Sequence, residues 1–362
     1  MPADAPAAPA RSPWLVSARW DLAVFGGSAL LAFALLAWGR ATGALFGALP
    51  AWTWVATIVM VDVAHVWATA FRVYLDPDEL RRRAGLYLGV PLACFTLGVL
   101  LHSSSAAWFW RALAYGAVVH FVRQQYGWIA LYRQRAGERG RLDRWLDDAA
   151  VYAGTLYPLL WWHAHLPREF AWFLEGDFFP GLPASAAGSL GPLHAAIGAA
   201  WVARQVVRAA RREPVSVGKC VVMLGTWATW YVGIVVFDSD YAFTVTNVLV
   251  HGIPYLALVW VWGRARWRGA ARGVGRLFRP GLWPAYLAAL IGAAYAEEWL
   301  WDLLVWHDRA ALFPGPAVEA GGWLSLLVPL LALPQATHYA LDAWIWRLRG
   351  GRNPGLARHL GL

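Results

Sequence analysis

Four histidines, His65, His120, His251 and His338, sit inside apolar runs of the chain, each with a polar companion at helical spacing. In VDVAHVW, Asp62 precedes His65 by three residues, and in TVTNVLVHGIPY, Asn247 precedes His251 by four. In VVHFVRQQYGW, Gln124 follows His120 by four, with Arg123, Gln125 and Tyr126 beside it. In LPQATHYALDAWIW, Asp342 follows His338 by four and Gln335 precedes it by three. Residues three or four apart share one helix face. Polar groups in hydrocarbon face the bundle interior, paired with one another or with an ion. Neutral imidazole is the commonest metal ligand, and its second nitrogen is usually held by a carboxylate or carbonyl.

These residue types point to a metal centre in which His65, His120, His251 and His338 are the ligands. Asp62 and Asp342 orient the ligands or complete the shell, while Gln124, Asn247 and Tyr126 position oxygen or substrate. Arg123 and Gln335 are grouped with the cofactor-binding residues, and Arg123 is expected to pair with Asp62 or Asp342 or to take a substrate carboxylate or headgroup. The imidazole set suits iron, copper or zinc, and the absence of a nearby thiolate argues against a structural cysteine-type zinc site. Iron is preferred, as a mononuclear or dinuclear non-haem centre, with haem b held by two of the histidines as the alternative.

The elements that must carry these residues follow from composition. Of 362 residues, 59% are hydrophobic and 15% charged, against about 25% charged in soluble domains. This defines an all-α, polytopic integral membrane bundle. Ten apolar runs approach the roughly 17 to 25 residues a helix needs to cross hydrocarbon: 21–38, 51–71, 86–101, 107–132, 145–162, 193–207, 217–237, 242–262, 282–306 and 323–346. Residues 1–20 and 347–362 are read as tails around a single transmembrane domain. Many of the 26 tryptophans lie near run ends, as headgroup-level belts do. With both termini cytoplasmic, 25 of the 31 basic residues fall in inner segments, as the positive-inside rule requires. All four buried histidines then lie on outside-to-inside helices, about 10 to 20 Å from their inner ends and in one layer.

Several function classes are excluded or set aside. The net charge of +9 is a topology signal, since the arginines are spread over six inner segments and no soluble domain gathers them for nucleic acid. Phosphate-cradling loops, nucleophile elbows and dinucleotide fingerprints are absent, as are the clustered histidine boxes of membrane desaturases. In layout alone the chain resembles the membrane carotenoid-cleaving oxygenases, small polytopic proteins with histidines on several helices. Their local motifs do not occur here, and no membership is assigned.

Other segments carry weaker expectations. The outer connection REFAWFLEGDFFPGLPASAAGSLGP is expected to lie on the outer surface as an amphipathic lid with a flexible Gly/Pro/Ser end. The basic segment RARWRGAARGVGRLFRP is expected to rest on anionic headgroups. Glu297 and Glu298 are outer-half carboxylates read as packing or a proton path, and Pro254 and Pro334 are expected to kink their helices and open room for substrate. The functional expectation is a membrane metal-dependent oxidoreductase acting on a lipid, isoprenoid or quinone-like substrate, with an electron-donor protein as a further partner. A haem electron carrier and a proton or metal-ion transporter are the alternatives. A bacterial inner membrane is the expected location, on the excess of arginine over lysine and the lack of an organelle signal.

Overall fold

A computed structural model describes residues 12–270, 272–348, 353 and 355–362 of the chain. Arg11, Arg349 and Arg352, expected in the inner tails, lie outside the described residues.

Helices account for nearly all of the ordered backbone, and the described residues contain no strand. The long helices are α1 (Ala18–Thr42), α2 (Ala51–Arg72), α3 (Ala84–Ser104), α4 (Ala106–Ala136), α5 (Arg141–Ala164), α6 (Ala184–Ala210), α7 (Val217–Val236), α8 (Asp240–Arg266), α9 (Trp283–Trp301) and α10 (Gly321–Ile345). Six of these, α1, α2, α3, α7, α8 and α10, are long and apolar enough to cross a membrane. The others are more polar along their length, and α4 alone carries Arg111, Arg123, Arg133 and Arg135.

Burial orders the bundle. In the apolar window of α8, 83% of the residues are buried, against 11% in α3. An isolated apolar helix reads the same on all sides, so this ranking comes from packing. α8 is the inner post and α3 an outer wall. Gly252 sets how closely α8 approaches α2: a Cβ there would stand 2.6 Å from Val61 Cγ1 and 3.1 Å from the Val61 carbonyl. The missing side chain lets the two backbones meet and brings His65 and His251 within reach of each other.

Local irregularities fall beside the polar residues. Before His65, α2 is wound as a π-helix over Val55–Val63, a geometry that concentrates at functional sites. Pro254 lies inside α8, and α10 breaks at Ala332 before Pro334 opens its second half. Each proline removes a backbone donor from the helix ladder.

The two ends of the described residues meet at α4. Ser12 N donates to the Arg135 carbonyl, Arg135 donates to the Gly361 carbonyl, and Leu356 and Leu360 join the hydrophobic cluster around Trp128 and Trp262. Asp21 fastens the N-terminal segment by accepting from Leu15 N at 2.7 Å and from the Tyr132 hydroxyl at 2.6 Å.

At the opposite end of α4, the connection between α5 and α6 departs from the expected amphipathic lid. It is irregular and dips into the bundle, with Phe170 and Phe178 buried and Trp172 packed edge-on against Phe121 at 4.9 Å. Arg168 donates to the carbonyls of Ile234 and Phe237 and pairs with Asp238, which explains the inward fold. The expected flexible Gly/Pro/Ser end is instead the first turns of α6, which begins at Ala184 behind Pro183 and runs through Pro192. The basic segment after α8 also folds inward in part: Phe278 is buried against Phe71, Trp267 and Tyr286.

Candidate metal centre

α2, α4, α8 and α10 bring His65, His120, His251 and His338 to one place, with exposures of 1%, 4%, 0% and 1%. Their Nε2 atoms face each other. His251 Nε2 lies 3.0 Å from His65 Nε2 and 3.2 Å from His120 Nε2, and His120 Nε2 lies 3.1 Å from His338 Nε2. His65, His120 and His338 each offer one ligand atom within 4.8 Å of the others.

The rings form a pinwheel. Neighbouring rings have centroids 4.6 Å (His65–His251), 4.9 Å (His251–His120), 4.5 Å (His120–His338) and 4.9 Å (His338–His65) apart and stand steeply to one another. Across the figure, His65 and His120 are near-parallel, at 18° and 6.3 Å. The group whose ligand atoms all lie within 4.8 Å of one another is His65, His120 and His338, with His251 Nε2 beside two of its members.

Hydrogen bonding among the rings does not account for this arrangement. Each Nε2 has one in-plane site, a proton or a lone pair, yet those of His120 and His251 each face two other Nε2 atoms. A cation at the centre uses every lone pair at once. Facing nitrogens only 3.0 to 3.2 Å apart leave room for an ion between them and none for a macrocycle.

Behind the rings, the Nδ1 atoms find graded support. His338 Nδ1 is 2.7 Å from Thr69 Oγ1, which lies 3.0 Å from the Tyr255 hydroxyl. Were His338 Nε2 to hold a cation through its lone pair, Nδ1 would carry the proton and donate it to Thr69. Asp62 Oδ1 stands 3.6 Å from His65 Nδ1, and Asp342 Oδ2 stands 3.7 Å from His120 Nδ1. These carboxylates stand behind the rings at distances beyond a direct hydrogen bond. His251 Nδ1 has no hydrogen-bond partner, and its ring lies flat on Phe121 with centroids 3.5 Å apart. Tyr339 stacks on His120 at 5.1 Å.

The remaining expected site residues divide. Gln124 donates to the His251 carbonyl at 2.7 Å and so braces the ligand helix rather than reaching the nitrogens. Asn247 donates to the Phe243 carbonyl and to Thr246 Oγ1 on its own helix. Gln335 donates to Glu297 at 3.4 Å, and Glu297 also accepts from Trp67 Nε1 at 2.7 Å.

Arg123 and Tyr126 require a correction. Arg123 is exposed, donates to the Tyr152 hydroxyl at 2.5 Å and lies over Tyr126, which stacks on Tyr152. It pairs with neither Asp62 nor Asp342. The reason is helical geometry: three residues turn about 300°, so Arg123 sits some 60° to one side of His120 while Gln124 sits about 40° to the other.

Thr69 and Tyr255 were missed in the sequence. Each lies four residues after a ligand histidine, and the helical-spacing rule used for amides and carboxylates finds them once hydroxyls are included.

Two cavities lie beside this centre, and one of them has His338 in its lining. One, of about 410 Å³, opens between α2, α3 and α10 and is lined by Val66, Trp67, Ala70, Leu88, Pro91, Leu330, Leu333 and Pro334, with Thr69 and His338 among its walls. The other, of about 540 Å³, is lined by the inward-folded connection and by Asp62 and Phe121.

Comparison with protein-family models, with curated proteins and with solved structures finds no match.

Proposed function

We propose that the chain is an integral membrane metalloenzyme of ten spans with both termini cytoplasmic, a non-haem iron oxidoreductase or oxygenase acting on a hydrophobic substrate. The meeting of both tails at Arg135 is in keeping with an even number of crossings. The observation that carries the reading is the meeting of four buried histidines through three Nε2–Nε2 approaches of 3.0 to 3.2 Å, three of the rings offering ligand atoms all within 4.8 Å of one another. One such group among the described residues, rather than two, favours a mononuclear ion. The four neutral imidazoles would hold such an ion, and a set of nitrogen ligands without thiolate suits iron rather than a structural cysteine-type zinc site. Bound there, iron would supply one-electron chemistry and dioxygen activation.

The chain's own residues do the rest. His65, His120, His251 and His338 hold the ion, and Thr69 with Tyr255 fixes the tautomer of His338 so that its Nε2 lone pair faces inward. Asp62 and Asp342 place negative charge behind His65 and His120, offsetting the cation. The lateral cavity takes substrate from the bilayer: its walls are almost wholly apolar, its outer wall α3 is the least buried span, and His338 and Thr69 are among its few polar residues. Pro91 and Pro334 line it, consistent with kinked helices making the opening. Such walls select an isoprenoid, polyene or acyl chain and keep water from reactive species.

The test is dioxygen consumption by iron-loaded protein in liposomes carrying isoprenoid, polyene or quinone lipids. Uptake is expected with one of these classes, and Ala70→Trp, which fills the lateral cavity, is expected to abolish it with iron content retained. No uptake with any class, or uptake indifferent to Ala70→Trp, would contradict the assignment.

A further inference from the structure

The larger cavity differs from the lateral one in its chemistry. Carboxylates from four parts of the chain line it: Glu169 and Glu175 from the inward-folded connection, Asp62 from α2, Asp240 from α8, and Glu298, Asp302 and Asp308 from α9 and the turn after it. Arg309 is the one basic residue in the lining. Asp302 is committed to the turn, since it accepts from Asp308 N and Arg309 N, and Asp240 accepts from Thr244. Glu169, Glu175 and Asp308 are exposed, whereas Glu298 and Asp62 are half-buried within.

Acidic residues facing water need no ligand to explain them. What gives this group direction is the inner end of the cavity. Asp62 lies in its wall with Oδ1 3.6 Å from His65 Nδ1, and His65 is 1% exposed with that nitrogen unpartnered. Phe121, in the same wall, lies flat on His251. The cavity therefore ends at two side chains, Asp62 and Phe121, that each stand between it and one of the four histidines. The centre itself is sealed from water, and the other cavity beside it is apolar, a surface on which a hydrated divalent cation is costly to place. A low-dielectric cleft of one charge sign concentrates counter-ions and raises their rate of arrival.

We propose that this acidic vestibule is the loading route of the metal centre, taking a divalent first-row cation from the end of the bundle opposite the chain termini and passing it along Glu298 and Asp62 to the histidines. The proposal rests on the metal-centre reading and adds to it a direction and a path. Substrate and metal then have separate entrances: hydrocarbon from the side between α2, α3 and α10, and cation from the end beneath the α5–α6 connection.

The test is the rate of Co²⁺ loading into chelator-stripped full-length protein in detergent, followed by the visible d–d band and closed by metal analysis. The variant combines Glu169→Gln, Glu175→Gln and Asp308→Asn, all at the exposed rim and away from the ligands. Loading is expected to slow about tenfold and to lose most of its dependence on ionic strength, with the final stoichiometry and spectrum unchanged. Ala70→Trp in the lateral cavity is expected to load at the native rate. Native-rate loading of the rim variant, or slowed loading of Ala70→Trp alone, would overturn the route while leaving the metal centre in place. Inhibition of loading by an organic ammonium ion at matched ionic strength would reassign the vestibule to a cationic substrate. No cobalt band in either chain at equilibrium would remove the metal centre and the route together.

Discussion

Two of the buried polar clusters among the described residues are built on opposite terms. Near the chain termini, Lys219 is 0% exposed and donates to Glu138 at 2.5 Å and to Asp147 at 2.9 Å. Arg208 donates to Glu138, Trp201 donates to Asp147, and Arg204 pairs with Asp143. Opposite charges meet at hydrogen-bond distance, and of the side chains just named only Arg208 leaves a buried donor, its Nε, without a hydrogen bond. At the histidine centre the near neighbours are alike: nitrogen faces nitrogen at 3.0 to 3.2 Å. Burial and polarity are common to both clusters. What separates a structural network from a binding site here is whether the groups satisfy one another.

The comparison can be broken by disabling each cluster in turn. The largest expected effect is from Lys219→Met, which leaves Glu138 and Asp147 buried without their cation and is expected to destabilise the fold by about 3 to 5 kcal/mol. Thermal unfolding in detergent checks the loss, while metal bound per folded chain is expected to stay at the native value. If Lys219→Met removed the metal and spared stability, the two clusters would have been assigned the wrong way round.

Gly252→Val comes next. Its side chain meets Val61 where α2 and α8 touch, so overpacking of about 1 to 3 kcal/mol is expected, together with weaker metal binding as His65 and His251 are pushed apart. Equilibrium metal titration beside thermal unfolding measures both, and native metal affinity in a destabilised variant would show that the helix approach does not set the ligand geometry.

Asp62→Asn and Asp342→Asn sharpen the site from behind. Removing the charge that supports a ligating imidazole is expected to weaken metal binding by about 10- to 100-fold, with little change in stability. Thr69→Val is expected to act in the same direction through His338, more weakly because a neutral hydroxyl is lost. Unchanged affinity in all three would mean that the residues behind the rings do not tune them.

The sequence showed which side chains share a layer more readily than which touch. That the four histidines share a layer was legible because helical rise places residues at a known distance along each helix. Asp62 was legible as the companion of His65, three residues along the same helix. Asp342 was found, but the structure turns its carboxylate towards His120 on α4 rather than His338 on its own helix, since a ligand ring must point to the centre and its Nδ1 then faces a neighbouring helix. Arg123 and Tyr126 were drawn in by proximity in sequence to His120, although their angular positions carry them to the outer face of α4. Burial along α8 and the inward fold of the α5–α6 connection depend on packing between distant segments, which periodicity does not encode.

The most direct measurement is metal analysis with a visible spectrum on gently purified protein, native beside His120→Ala and His251→Ala. The account predicts about one iron per chain without a Soret band, lost in both variants, with thermal stability in the metal-free state close to that of stripped native protein. Metal retained in both variants, a Soret band, or native protein that neither carries nor takes up metal would contradict it.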